Sequence, residues 1–287
     1  AFGCVQKIEQ YNSRTAVRCA SLAVQGVREF KTLSLQRTSM TIHPALESSL
    51  RHWRALKVIS GLANRNVAHV SAVVNAAAQG GATFVDIAAD ADLIAHVRQL
   101  TDLPICVSAV EADQFIMAIA VGADLIEIGN FDSFYAQGRQ FGADEVLAIT
   151  RQTRDRLPNV MLSVTVPHIL PLDQQCALAE QLVDAGADVI QTEGGTSSQP
   201  THPGVLGLIE KAAPTLAAAH AISRAVPVPV LCASGLSSAT VPMAIAAGAA
   251  GVGVGSAISQ LNSPVAMVAA VRSLVEALEN APANISA

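Results

Sequence analysis

Apolar residues along this chain follow two alternating rhythms. Short runs rich in Val and Ile are each followed by a longer stretch in which apolar residues recur every three or four positions. The first rhythm predicts strands and the second predicts helices. In order, the pattern predicts strand Leu56–Ser60, helix Val67–Gln79, strand Thr83–Ala88, helix Leu93–Leu100, strand Ile105–Ser108 and helix Asp113–Val121. It continues with strand Leu125–Ile128, helix Asp144–Arg156, strand Met161–Val166, helix Leu172–Ala185, strand Val189–Thr192 and helix Val205–Ala219. Strand Val230–Ser234, helix Ala239–Ala247, strand Gly251–Val254 and helix Val265–Glu279 complete it. Eight strand–helix units in roughly 225 residues is the size of a (β/α)8 TIM barrel. An open doubly wound sheet is the alternative. The regular spacing, with glycines after the last two strands rather than the first, favours closure.

Four segments repeat one motif: "GGATFVDIA" from Gly80, "VGADLIEIG" from Val121, "AGADVIQTE" from Ala185 and "AGAAGVGVG" from Ala247. In each, Gly-Ala separates a helical stretch from an apolar run. Gly81, Gly122, Gly186 and Gly248 suit the position just past a helix end, where a left-handed residue is needed.

Alternation within each strand sorts side chains into two faces, with the large aliphatics facing the helices. Lys57 and Ile59 then point into the barrel, as do Asp86 and Ala88, Cys106 and Ser108, Glu127 and Gly129, Ser163 and Thr165, and Gln191 and Glu193. One lysine and two or three carboxylates thus converge in a largely apolar interior. Unpaired buried charge is costly, so Lys57 is expected to pair with Asp86, Glu127 or both. A structural ion pair is one reading. The other is a catalytic site, with Lys57 as a Schiff-base nucleophile or the carboxylates as proton shuttles.

Chemistry in this fold sits at the carboxyl ends of the strands. The loops there carry Asn130 and Asp132 after Glu127, and His168 after the fifth strand. His168 reads either as a general acid or base or as a polar loop residue. The loop from Gly194 to Gly204 is long, and such length is usually functional or mobile; its His202 reads as a solvated loop residue. Phosphate often binds between the loops after strands 7 and 8. In "VLCASGLS" and "GVGVGSAI", Gly235, Gly253, Gly255 and Ser256 would leave backbone N–H groups open to an anion, with a short helix starting at Ser256. Gly194 and Gly195 would complete the cradle. Glycines that merely let helix pack on strand are the alternative. With Asn130, Thr165 and Glu193 as further pocket residues, the candidate site is Lys57, Asp86, Glu127 and His168 beneath a phosphate seat. No histidine pair has metal-ligand spacing, so no metal site is expected.

Composition narrows the classes. Hydrophobic residues make up 51%, charged residues 14% and aromatics 3%, which argues against a nucleic-acid binder. No apolar run reads as a membrane span, since the Ala-rich runs are broken by Gly, Pro or charge. The five cysteines, at 4, 19, 106, 176 and 232, form no CxxC pair and read as reduced thiols. Charge divides the chain. Residues 1–55 hold eight Lys and Arg against three Asp and Glu, whereas residues 56–287 hold ten against twenty. Residues 1–42 are rich in Arg, Ser and Thr, which reads as a plastid transit segment, with a cleavage-like Val17-Arg18-Cys19-Ala20, or as a disordered tail. The barrel itself is placed at 43–287, as a single domain with an N-terminal extension.

Residues 41–287 resemble the Ycf23 family, through "ALKVISGL", "GGATFVDIAAD", "LPICVSAVE", "GADLIEIGNFDSFY", "PHILPL" and "IQTEGGTS". Ycf23 is plastid-encoded in many algae, with cyanobacterial relatives and nuclear copies in plants. The resemblance implies a TIM-like barrel in a chloroplast or plastid, with the stroma as the expected compartment. It implies no reaction, and no catalytic residue carries over from it. The residues themselves support three functions. The first is a lyase- or isomerase-type enzyme acting on a small phosphorylated molecule. The second is an FMN-dependent oxidoreductase with the flavin phosphate in the same loops, although few aromatics are present to flank the ring. The third is a non-catalytic scaffold or sensor that binds a metabolite and either itself or a plastid protein partner.

Overall fold

The computed structural model describes residues 42–135, 137–194 and 198–282. Eight parallel strands close on themselves in sequence order: β1 (Ala55–Ile59), β2 (Phe84–Ala88), β3 (Ile105–Ala109), β4 (Leu125–Ile128), β5 (Met161–Thr165), β6 (Val189–Gln191), β7 (Val230–Ala233) and β8 (Gly251–Val254). The β1–β8 pairing, with Lys57 opposite Gly253, completes the barrel. The open doubly wound sheet is thereby excluded. The expected N-terminal extension falls almost wholly outside the described residues.

The outer helices are α2 (Val67–Gly80), α3 (Ala91–Arg98), α4 (Ala112–Ala120), α6 (Ala143–Arg156), α7 (Leu172–Asp184), α8 (Gly204–Ala225), α9 (Val241–Ala246) and α11 (Pro264–Glu279). They bury the outward aliphatics of the strands, including Val58, Val85, Ile87, Val107, Ile126, Val164 and Ile190. All four repeat glycines are left-handed, with φ of 90° at Gly81, 111° at Gly122, 101° at Gly186 and 109° at Gly248.

Among the described residues, three helices lie outside the eightfold pattern: α1 (Pro44–Arg51), α5 (Asp132–Tyr135) and α10 (Ser256–Ser259). The last is the short helix expected at Ser256. The first was not anticipated, because it offers only Leu46 and Leu50 as an apolar pair. Both leucines are buried against Ala55, Phe84, Cys106, Leu125, Met161, Val189 and Leu231. α1 therefore plugs the amino-terminal end of the barrel.

Two further boundaries differ for local reasons. α3 begins earlier than expected because the Asp90 carboxylate accepts from the Leu93 amide at 3.1 Å and caps it. α8 continues six residues past Ala219 and carries Pro214 in its interior. Proline cannot donate to the Glu210 carbonyl one turn back, and the Ser198 hydroxyl donates to that carbonyl at 3.2 Å instead. At 22 residues α8 is long and apolar enough, by length and composition, to cross a membrane, contrary to the expectation that no stretch would be. In this fold its Ala212, Thr215, Ala218, Ala219 and Ile222 are buried, and Thr215 donates to the Ala233 carbonyl of β7 at 2.5 Å.

Candidate active site

Inward side chains rise through the barrel in layers. Above the apolar floor sealed by α1 lies a polar layer. Lys57 projects from the middle of β1 and is fully buried. Its ammonium lies 2.5 Å from Glu127 Oε2, 3.2 Å from Asp86 Oδ2 and 3.1 Å from Gln191 Oε1. Ser108 donates to Asp86, with its Oγ 2.7 and 2.8 Å from the two carboxylate oxygens. Ser163 donates to Glu127 Oε2 at 3.1 Å, and Gln191 Nε2 to Glu127 Oε1 at 2.8 Å. Thr165 completes the network from β5. Asn130, in the left-handed region at φ 67°, reaches down to Asp86 Oδ2 at 3.4 Å.

One ammonium thus faces two carboxylates in a water-poor interior. Burial alone would lower the Lys57 pKa, but the charges of Asp86 and Glu127 overcome it and hold the amine well above the usual lysine range. Burial pushes Asp86 up to about 6 against the pull of Lys57, and the charge of Glu127 adds to the rise. Cys106, buried beside this cluster, is pushed well above an ordinary thiol and stays protonated.

A second polar group lies at the mouth, on the loops after β4, β5, β6 and β7. The loop after β4 is pinned by its own aromatics. Phe131 and Phe141 are buried with ring centroids 4.5 Å apart, and the Arg139 guanidinium lies 4.4 Å from the Phe141 ring. This anchorage fixes α5, which presents Asp132 and Tyr135. Glu193, 4% exposed, accepts at Oε1 from Tyr135 OH at 2.6 Å and from the His168 amide at 3.1 Å. The His168 ring Nδ1 also lies 3.1 Å from Glu193 Oε1, and 3.6 Å from Asp132 Oδ1. Ser234 donates to Asp132 Oδ2 at 3.0 Å. Burial lowers the His168 pKa, but its hydrogen bond to Glu193 and the charges of Glu193 and Asp132 give a net rise. Burial raises Glu193 in turn, against the donors around it.

The candidate phosphate residues fall into two groups. Gly235, with φ 74°, and Gly255 are partly exposed, and Ser256 is exposed at the start of α10. Among the described residues, the Gly235 and Ser256 amides donate to no backbone or side-chain acceptor. Gly253 differs from them. A side chain there would point into the barrel, 2.9 Å from Ala233 Cβ and 3.1 Å from Ile59 Cδ1, so its bareness is a packing requirement. Gly194 is buried, and a Cβ on it would meet Pro214 and His168. Gly195 lies outside the described residues. His202 is exposed and clamped to Glu210, as a loop residue rather than part of the site.

The structure therefore joins Lys57, Asp86, Glu127, Thr165 and Asn130 in one network. It puts His168 and Glu193 in another and leaves the glycine loops at the rim. Sequence reasoning missed Tyr135 and Ser234 as parts of the site. Both sit on loops, where strand alternation carries no information.

A closed eight-stranded parallel barrel with polar groups gathered inside and at its carboxyl end defines a TIM barrel with a candidate small-molecule site. Within that class the chain belongs to the Ycf23 family, whose profile, described as "Protein of unknown function (DUF561)", matches residues 41–284. An "Uncharacterized protein ycf23" from Cyanophora paradoxa is 42% identical over 229 residues, covering 78% of this chain and 92% of the relative. Another from Porphyra purpurea is 38% identical over 250 residues, covering 86% and 94%. Among solved structures, 3-hexulose-6-phosphate synthase superposes with a TM-score of 0.54 at 18% identity, covering 78% of this chain and 99% of that one. Thiamine phosphate pyrophosphorylase from Pyrococcus furiosus gives 0.53 at 21%, covering 81% and 98%. The (S)-3-O-geranylgeranylglyceryl phosphate synthase of Thermoplasma acidophilum, in complex with sn-glycerol-1-phosphate, gives 0.52 at 16%, covering 83% and 99%. Identities this low show the shared fold.

Proposed function

We propose that this protein is an enzyme that moves a proton on a small phosphorylated metabolite. The observation that carries the reading is the excess of carboxylate around Lys57. One carboxylate would suffice for a structural ion pair. The second leaves the cluster short of positive charge; burial raises the proton affinity of Asp86 toward the neutral range and the charge of Glu127 adds to it, placing Asp86 where a general acid or base works best. The same charge balance favours a lysine that remains an ammonium. It therefore favours proton transfer with Lys57 as electrostatic partner over Schiff-base attack, which needs the neutral amine.

The phosphate seat is the rim formed by Gly235, Gly255 and Ser256, where amide donors are open. Lys57 is paired with Gly253, two residues below Gly255. Two residues of parallel strand rise roughly 6.6 Å. A phosphate at the rim and a reacting carbon near Lys57 would therefore be separated by the length of a short carbon chain, which fits a lyase or isomerase substrate. The structural neighbours whose names include phosphate compounds agree with this seat by analogy of fold only. The algal Ycf23 relatives support a plastid location, and we place the protein in the stroma.

The test is native mass spectrometry, with an absorbance spectrum, on protein purified without added ligand. The expected result is a colourless phosphorylated ligand that is lost in Gly255→Asp. At that position a new Cβ meets only Ile59, no closer than 3.4 Å, so the variant is expected to fold while its charge repels an anion. Lys57→Met should keep the ligand and lose turnover. A yellow, flavin-bearing protein would replace this reading with the oxidoreductase. An empty barrel that also fails to bind inorganic phosphate would favour the scaffold.

A further inference from the structure

We infer that the mouth of the barrel holds a divalent transition-metal ion, bound by Asp132, His168 and Glu193. These residues each offer a ligand atom, and the three atoms lie within 4.8 Å of one another. They come from three different loops, after β4, β5 and β6, so the convergence is a product of the fold. Two carboxylates match the charge of a dication and suit manganese, and one imidazole favours zinc or iron over magnesium or calcium.

The second observation is Glu193 itself. Its side chain is 4% exposed. Oε1 takes three donors, from the Tyr135 hydroxyl, the His168 amide and the His168 ring. Oε2, also buried, has no hydrogen-bond partner among the described residues. A buried carboxylate oxygen without a partner is costly, and a cation beside it removes that cost. Distances fit the same picture. Two ligands of one ion with bonds of about 2.1 Å lie roughly 3.0 Å apart in an octahedral site and about 3.4 Å apart in a tetrahedral one. His168 Nδ1 lies 3.6 Å from Asp132 Oδ1, close to such an edge, and 3.1 Å from Glu193 Oε1, the other oxygen of the same carboxylate. The imidazole ligates through Nδ1 in its neutral form, so the Nδ1 proton leaves as the ion enters.

The supporting residues have the arrangement that metal sites use. Tyr135 and Ser234 each donate to a ligating carboxylate and would fix its orientation. Ser234 also leads directly into Gly235, so an ion here would face the rim proposed to hold phosphate. The site stands without that reading, because the ligands are side chains and the test needs no substrate.

The full chain, stripped with a chelator and dialysed, is titrated with Mn2+ and with Zn2+. Binding is followed by calorimetry and, for Mn2+, by electron paramagnetic resonance. The expected result is one ion per chain, at least about tenfold weaker in Glu193→Gln and Asp132→Asn. Ser234→Ala, which removes the orienting bond to Asp132 and leaves the three ligands in place, should also weaken binding by roughly tenfold. This variant keeps the test open if a ligand variant fails to fold by circular dichroism. The inference is overturned if folded wild-type protein shows no saturable binding of either ion. It is equally overturned if binding is unchanged in the folded variants, which would place the ion elsewhere on the chain.

Discussion

At the scale of single residues, the Lys57 cluster makes two predictions. Asp86 has a folded-state pKa of about 6, against an ordinary value of 3.8, because burial outweighs the attraction of Lys57. The folded protein therefore binds a proton that the unfolded chain releases. The stability this group contributes is fully present below about pH 4 and is lost as pH rises through 6. Asp86→Asn should remove that component. The difference in urea midpoint between wild type and variant should change between pH 4 and 7, and the wild type should lose a protonated-carboxyl infrared band near pH 6. A difference independent of pH would show that Asp86 titrates normally. The second prediction concerns Lys57. Lys57→Met leaves two buried carboxylates without their counter-charge, and breaking one side of such a pair costs about 3–5 kcal/mol. Adding Glu127→Gln should cost much less than it does in the wild type, so a double-mutant cycle by urea unfolding should show strong coupling. The partnership of Lys57 with Asp86 and Glu127 was legible in the sequence, since alternation within a strand and the cost of buried charge both demanded it. The Asp132–His168–Glu193 cluster was not. Histidine spacing was the signal sought for a metal, and a site assembled from three loops has no spacing to find.

At the scale of elements, the repeated Gly-Ala motif made the fold readable. Each repeat glycine ends a helix in the left-handed region, and each is followed by the strand the pattern required. The demands at the four glycines nevertheless differ. A Cβ added at Gly122 meets nothing within 4 Å, whereas at Gly248 it would sit 2.3 Å from Ser223 Oγ and 2.9 Å from Ser223 Cβ. Gly122→Ala should therefore cost only its backbone strain, about 1–2 kcal/mol. Gly248→Ala should cost that and roughly 1–3 kcal/mol more for overpacking. Thermal unfolding of the two variants checks the order, and equal losses would mean that α8 shifts freely to make room. The elements that escaped sequence reading are those whose support is not local. α1 has too few apolar residues to announce itself. The last six residues of α8, past Ala219, are the other such stretch, and within the helix a hydroxyl from the preceding loop satisfies the carbonyl that Pro214 leaves open.

At the scale of the whole molecule, the barrel divides stability from chemistry along its axis. The floor is apolar and sealed by Leu46 and Leu50 of α1. The Lys57 layer lies above it, and the mouth residues lie above that. Conservative cuts at the floor should therefore lower stability without altering what the mouth binds. Leu46→Ala and Leu50→Ala each remove buried aliphatic volume, for an expected loss of about 2–5 kcal/mol in urea unfolding. Affinity for inorganic phosphate or for Mn2+, measured well below the unfolding transition, should stay within about twofold of wild type. The reason is geometric. The floor side chains touch one another and α1, whereas Asp132, His168, Glu193, Gly235 and Ser256 are carried on loops at the opposite end, with the polar layer between. If floor variants weakened binding in proportion to their loss of stability, the barrel would be acting as one cooperative unit whose mouth depends on its base. α1 would then belong to the working part of the protein rather than to its scaffold.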